Sequence, residues 1–234
     1  MGECQMDKTI SLYQITKIYD GMQGVKALEK ATICFQKGEF VSIIGKSGSG
    51  KSTMLNMLSC IDRPTEGEIL FGDEKLHTYS ESKLTKWRGE NIGIVFQFFQ
   101  LIPTLTVLEN IVLPMDFNHK YIASKRKNIA MELLKKVGIA ECANKLPSEL
   151  SGGQQQRAAI ARALANHPAF IIADEPTGNL DSVTAESIIC LFRELSEEGT
   201  TVIMVTHNNE LAHCTDRIIT INDGKIISDR KNVA

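Results

Sequence analysis

Hydrophobic residues recur along the chain in distinct rhythms. In ATICFQ (31–36), Ala31, Ile33 and Phe35 alternate with Thr32, Cys34 and Gln36. A period of two puts the apolar set on one face, so the segment predicts a half-buried strand. EFVSIIG (39–45), AFIIAD (169–174) and TVIMVTH (201–207) are instead continuous apolar runs. Runs of that kind fit strands covered on both faces. Between the last two, VTAESIICLFRELSEEG (183–199) sets Ile188, Leu191, Phe192 and Leu195 at helical spacing. Strand, helix, strand predicts a parallel sheet with crossover connections. In IITINDGKIIS (218–228), Asp223-Gly224 separates two apolar runs and predicts a hairpin.

From about 104 to 166 the pattern is helical throughout. KNIAMELLKKVGI places Ile129, Ala130, Leu133, Leu134 and Val137 on one face, with Gly138 as the stop. No low-complexity linker and no internal repeat divides the chain. The simplest organisation is an α/β core interrupted by a helical insert.

Bulk properties narrow the class. With 234 residues the chain makes one large domain or two small ones. A net charge of −2 implies no strongly basic surface and argues against nucleic acid as the main partner. No apolar stretch approaches the roughly 20 residues of a membrane span. The start, MGECQMDKTI, has no apolar signal-peptide core, and Met6 breaks the myristoylation pattern that Gly2 would begin. A cytosolic location is expected. The six cysteines, Cys4, Cys34, Cys60, Cys142, Cys190 and Cys214, form no C-x-x-C pair. Reduced, buried thiols are expected rather than a metal site or a disulfide framework.

GKSGSGKST (45–53) fits G-x-x-x-x-G-K-[ST] at Gly45, Gly50, Lys51 and Ser52. A buried strand precedes it, and a helix with Met54, Leu55, Leu58 and Ile61 on one stripe follows. Glycines let backbone N–H groups turn inward around phosphate oxygens. The helix N-terminus adds partial positive charge. The candidate nucleotide cradle is therefore Gly45, Lys46, Ser47, Gly48, Ser49, Gly50, Lys51, Ser52 and Thr53. Lys51 is expected to reach the β- and γ-phosphates, and Ser52 to ligate Mg²⁺. FIIADE ends a buried strand in two carboxylates: Asp174 suits Mg²⁺ and Glu175 suits polarising an attacking water, though two exposed loop acids would look the same locally. His207 alone would read as a structural histidine, but its place at the C-terminal end of another strand makes it a candidate to touch the γ-phosphate. The guanine-reading N-K-x-D is absent, which leans against GTP.

ELSGGQQQRAAIARALANHP (149–168) raises a second possibility. Ser151 can cap a helix starting near Gln154, Gly152 and Gly153 keep the backbone bare, five alanines strengthen the helix, and Pro168 ends it. The local pattern fits an anion site and equally a capped structural helix.

With these motifs in this order, the chain resembles the ATP-binding cassette (ABC) family over almost its whole length. LSGGQQQR resembles the family's signature motif. Gln97 in VFQ resembles the loop glutamine that joins Mg²⁺ sensing to the membrane partner. GNLD (178–181) resembles the loop that puts Asp181 at a dimer seam, His207 the switch histidine, and Tyr19 in KIYDG the aromatic that stacks on adenine, where a core tyrosine is the plainer alternative. The resemblance implies a P-loop NTPase fold: a RecA-like parallel core, an antiparallel β subdomain (with the core, residues 1–98 and 167–234) and a helical subdomain (99–166). It also implies head-to-tail packing of two copies around two ATP molecules. Ser151, Gly152, Gly153 and Gln154 of one copy would then complete the site on the other, where Ser52, Gln97 and Asp174 hold Mg²⁺. The expected catalytic set is Glu175, His207 and Gln97.

LSCIDRPTEGEI, VFQFFQLIPTLTVLENIVLPM, DEPTGNLDS and VTHNNELAHCTDRIITINDGKI further resemble the MacB, LolD and BceA-like cassettes. That resemblance implies an ATPase working on integral membrane permease subunits from the inner face of the membrane, in export, lipoprotein release or peptide resistance. Two departures stand out: Lys46 where proline or alanine is frequent, and Asn208 where aspartate is common. The rival function is a non-transport ABC ATPase of DNA repair or translation. Such proteins usually carry a coiled-coil insertion or two cassettes, whereas this chain has one cassette with a compact insert.

Overall fold

The continuous apolar runs become the middle of a six-stranded sheet. In the computed structural model, which describes residues 9–19 and 24–232, the strands are β1 (Ile10–Tyr19), β2 (Val25–Phe35), β3 (Phe40–Ile44), β4 (Glu66–Phe71), β5 (Glu74–Lys75), β6 (Ile92–Val95), β7 (Phe170–Asp174), β8 (Thr201–Val205), β9 (Arg217–Asn222) and β10 (Lys225–Lys231). The helices are α1 (Lys51–Leu58), α2 (Glu81–Asn91), α3 (Val107–Asn118), α4 (Ala123–Lys136), α5 (Gly152–Ala163), α6 (Ser182–Glu197) and the single turn α7 (Asn209–Ala212). The large sheet runs β10-β9-β3-β8-β7-β6. All its pairs are parallel except the β9–β10 hairpin. A second, antiparallel sheet runs β2-β1-β4-β5. This is the expected α/β architecture, with an antiparallel β unit and a helical insert.

Each central strand divides its side chains between two cores. Ile171, Ala173, Val202, Met204 and Phe40 face α6 and the helical insert. Phe170, Ile172, Ile203, Val205, Val41 and Ile43 face α1 and the antiparallel sheet. Burying a side chain of this size contributes about 1.5–3 kcal/mol relative to exposure. The strands therefore read as unbroken apolar runs because both faces are covered. β2 has only one covered face, and the alternation of Ala31, Ile33 and Phe35 survives in its burial.

Three local expectations change. Ile61 is exposed, because α1 ends at Leu58 and the stripe stops there. Helix α5 begins at Gly152 rather than near Gln154 and ends at Ala163, before Pro168. Among the described cysteines, Cys60 and Cys142 are buried, Cys34 is half-buried, and Cys190 and Cys214 are exposed. Cys190 lies between buried Ile189 and Leu191, but the helical turn puts it on the outer face of α6. Cys4 lies outside the described residues. Burial pushes the Cys60 thiol up to about 12, which leaves it an inert core side chain.

Candidate active site

Parallel strands end together, so one edge of the large sheet collects the loops after β3, β6, β7 and β8. The loop after β3 carries the first cradle. Gly50 caps α1 at φ 105, a conformation open to glycine. A Cβ on it would sit 2.4 Å from the Ala27 carbonyl oxygen. The Asp223-Gly224 turn of the β9–β10 hairpin closes over the same loop: Gly224 N donates to Ser49 O at 2.9 Å, and Glu29 N donates to Gly224 O at 2.9 Å. Gly45 is equally confined, since its Cβ would lie 2.3 Å from Ile221 O and 2.6 Å from Ser49 Oγ. Ser49 Oγ is buried without a partner. Lys51 Nζ donates to the carbonyls of Gly45 and Lys46, both at 2.9 Å. An unpartnered hydroxyl and a lysine turned back onto its own loop fit a cradle shaped for an anion.

The carboxylates follow from β7. Asp174 pairs in register with Val205 of β8, and Glu175 N donates to Val205 O at 3.0 Å. Glu175 holds φ 49, a left-handed conformation that costs a non-glycine residue of order 1–3 kcal/mol. Burial and then the neighbouring Glu175 raise the Asp174 pKa, while Lys51 lowers it. From the end of β8, His207 Nδ1 meets Glu175 Oε2 at 2.7 Å. Asn208 takes the next place and caps α7, its Oδ1 accepting from the backbone of Glu210 and Leu211. Asparagine can do this as well as aspartate, so this departure leaves the local geometry intact.

These elements enclose a cavity of about 650 Å³, lined by Ser47, Gly48 and Gly50–Thr53, by Gln97, Asp174, Glu175 and His207, by Val25–Ala27 and by the Asp223-Gly224 turn. Gly45 and Ser49 of the same loop do not line it. Lys46 is exposed and does not line it. Nor does Tyr19, which is half-exposed at the end of β1 with Lys17 Nζ 4.9 Å from its ring centre.

Ser151, Gly152, Gly153 and Gln154 also lie outside the cavity lining. Ser151 caps α5 in a full capping box: its hydroxyl accepts from Gln154 N, and the Gln154 side chain accepts from Ser151 N. Asp181 caps α6 through Thr184 N and Thr184 Oγ1, which lower its pKa. The two helix starts touch. A Cβ on Gly153 would meet Thr184 Cγ2 at 2.6 Å, and one on Gly152 would lie 3.5 Å from Leu180 and 3.8 Å from Phe99. Asn179 Nδ2 donates to Gln97 O at 3.0 Å and ties this cluster to the cavity. Sequence reasoning did not single out Asn179, Ala27 or Gly224 for the site. Only the turn at Gly224 left a local signal, and its contact with the cradle is long-range.

Known proteins similar to this chain are ATP-binding cassettes. A family model described as ABC transporter matches residues 28–178. The chain is 49% identical over 227 residues to the uncharacterised ABC transporter ATP-binding protein MJ0796 of Methanocaldococcus jannaschii, covering 95% of this chain and 97% of that one. It is 44% identical over 212 residues to the lipoprotein-releasing system ATP-binding protein LolD of Aquifex aeolicus, covering 89% and 92%. A solved dimeric structure of the MJ0796 cassette in a post-hydrolysis state, bound to ADP and Pi, superposes with a TM-score of 0.88 at 46% identity, covering 96% of this chain and 99% of that one. A cavity built from a phosphate-binding loop, paired carboxylates and a histidine, on a fold shared end to end with these cassettes, places the chain in the ABC transporter family as an ATP-binding, ATP-hydrolysing subunit.

Proposed function

We propose that this chain drives a membrane permease of the MacB and LolD type, hydrolysing Mg²⁺-ATP between two copies of itself. One observation carries the proposal. A full hydrolytic set lines the cavity, while the capped, glycine-flanked start of α5 lies outside it. A helix start with free N–H groups is suited to phosphate. Here it would serve the nucleotide of a second copy, as the dimeric crystals of similar cassettes support.

In this reading Lys51 and the backbone of Ser47–Ser52 bind the phosphates, and Tyr19 stacks on the base. Glu175 takes a proton from the attacking water, oriented by its contact with His207. Ser52, Gln97 and Asp174 would hold Mg²⁺, and burial with the neighbouring Glu175 raises the Asp174 pKa against the pull of Lys51, a site that a cation would relieve. When bound, the ion would neutralise phosphate charge. The partner copy's signature segment, equivalent to Ser151–Gln154, and the Asp181 loop close the site. The two subdomains would divide at about residues 98 and 167.

The proposed permease surface lies beside the edge strand β6. Phe117, 78% exposed, shares a groove with Ile92 and Ile94 of β6, and Phe98, 68% exposed, and Ile102 follow that strand in the chain with exposed apolar side chains. Exposed patches of this kind mark interaction sites. Docking there would hold the protein peripherally on the inner face of the membrane. Among the described residues no helix is long and apolar enough to cross it. The similarity to LolD supports lipoprotein release or a related mechanical task. A photo-crosslinker replacing Phe98 in cells tests the assignment. Crosslinking to a multispanning membrane protein supports it; crosslinking to ribosomes or DNA instead would favour a non-transport ATPase.

A further inference from the structure

The segment after Gln97 is held in a conformation its own sequence disfavours. Phe99 and Gln100 are consecutive non-glycine residues at φ 58 and 54. Left-handed geometry costs roughly 1–2 kcal/mol for each such residue, so a pair persists only where its surroundings impose it. Arg162, in the last turn of α5, holds the carbonyls of both residues, beside a local bond from Gln100 N to Phe98 O. Its Nη2 donates to Phe99 O at 2.9 Å and its Nη1 donates to Gln100 O. Arg162 is half-buried, and burial lowers its pKa. Its planar fork is directed at two adjacent carbonyls, a task the single ammonium of a lysine performs poorly.

The other ties on this segment come from the same neighbourhood. Asn110, fully buried, accepts from Ile102 N and donates to Ile102 O, Leu105 O and Thr106 O. Phe99 N donates to Phe96 O at 3.2 Å, closing a turn around Gln97. The Phe99 ring packs near Gly152, at the opposite end of α5 from Arg162. The segment after Gln97 thus contacts both ends of α5, the helix that Ser151 caps.

We infer that Arg162 is a positioning residue: by fixing Phe99 and Gln100 in the left-handed conformation, it sets the reach of Gln97 into the phosphate cavity and makes the Gln97 loop move with α5. The inference rests on the proposed role of Gln97. Displacement of the start of α5 by a second copy's nucleotide would then be felt at Gln97 of the same chain.

Steady-state ATPase measurements on Arg162→Lys, Gln97→Ala and the double variant test this, with Mg²⁺ titrated at saturating ATP. Arg162→Lys is expected to lower kcat about 10–100-fold, the size of effect a misplaced group produces, and to raise the Mg²⁺ requirement with little change in KM for ATP. The double variant should be no slower than Gln97→Ala, since both changes act on one group. Adding Gln100→Gly to Arg162→Lys should restore part of kcat, because glycine adopts the left-handed conformation unaided. Additive losses, or no recovery with Gln100→Gly, would overturn the inference. Normal kcat in folded Arg162→Lys beside a slow Gln97→Ala would overturn it alone; a normal Gln97→Ala would remove the Gln97 assignment with it. If Arg162→Lys does not fold, deuterium exchange of the wild type decides. The Phe99 and Gln100 amides, which close turns on Phe96 O and Phe98 O, must exchange as slowly as those of α5, and fast exchange there rejects the clamp.

Discussion

Glu175 and His207 follow neighbouring strands and meet at 2.7 Å, Oε2 to Nδ1, in the lining of the cavity beside the β3–α1 loop. The register between β7 and β8 produces the contact: Asp174 opposes Val205, and Glu175 N reaches the Val205 carbonyl. That hydrogen bond and the left-handed turn aim the glutamate side chain at the histidine. A carboxylate oriented in this way is suited to accept a proton from water. Glu175→Gln preserves shape and removes the basic oxygen. Phosphate release should fall about 10²–10⁴-fold, the usual contribution of a general base. The variant should still bind ATP and persist as a dimer in size-exclusion chromatography with ATP present. Turnover near the wild-type rate would remove Glu175 from the role.

Asp174 yields a pH-dependent prediction. Burial, followed by the adjacent Glu175, raises its folded-state pKa above the ordinary carboxylate value. A raised folded pKa means that the folded state favours the protonated form. The group's stability contribution is complete below the unfolded pKa and is lost as pH rises through the folded one. At neutral pH the ionised Asp174 therefore burdens the nucleotide-free protein. Asp174→Asn should raise its Tm at pH 7 by about 2–4 °C, the shift ~1 kcal/mol gives a chain of this size. The gain should shrink towards pH 4, and ATP hydrolysis should collapse. Thermal unfolding across pH measures this, and an unchanged or lowered Tm at pH 7 contradicts it.

The central strands were legible because burial on both faces writes a continuous apolar run: β3, β7 and β8 all carry that mark. The Asp223-Gly224 turn was legible for a local reason, as both residues take positive φ. β1 was not. Its register shifts between Leu12 and Ile15 and again before Lys17, and Gln14 takes φ 51. A bulge of this kind breaks the period of two on which strand recognition depends. Opposite it, a Cβ on Gly67 would lie 2.5 Å from Gln14 O, a constraint invisible along the chain. The proposed phosphate loop announced itself because its candidate ligands, Gly45 to Thr53, are contiguous. Arg162 did not: its partners, Phe99 and Gln100, lie some sixty residues earlier, and only the fold brings them together.

Two glycines of the phosphate loop separate backbone strain from packing. Gly48 and Gly50 both hold positive φ, at 76 and 105. A Cβ on Gly48 would meet nothing within 4 Å, whereas one on Gly50 would collide with Ala27 O at 2.4 Å. Gly48→Ala should cost only the left-handed penalty, about 1–2 kcal/mol. Gly50→Ala adds the displacement of the Val25–Ala27 strand start and should cost at least ~1 kcal/mol more, in the range of overpacking. Urea unfolding of the nucleotide-free protein measures both. Equal losses would show that the β2 contact yields freely.

The start of α5 gives a test of the shared site. Ser151 is exposed, so a large side chain there has solvent to enter and need not disturb the cavity. The substitution removes the Ser151 cap on Gln154 N, which costs about 1 kcal/mol of helix stability. The interior of α5, with Gln156 and Ala158–Ala161 buried, should hold the helix in place. If α5 completes the nucleotide site of a second copy, Ser151→Arg places a bulky cation where that copy's γ-phosphate must dock. ATP affinity of the monomer should stay within a few fold of wild type, because Lys51 and its loop are untouched. Dimerisation driven by ATP in the Glu175→Gln background should disappear. Fluorescent-nucleotide titration and light scattering separate the two quantities. A dimer of normal strength would reduce the Ser151 box to a helix cap; lost ATP binding by the monomer would mean that α5 serves its own chain's nucleotide.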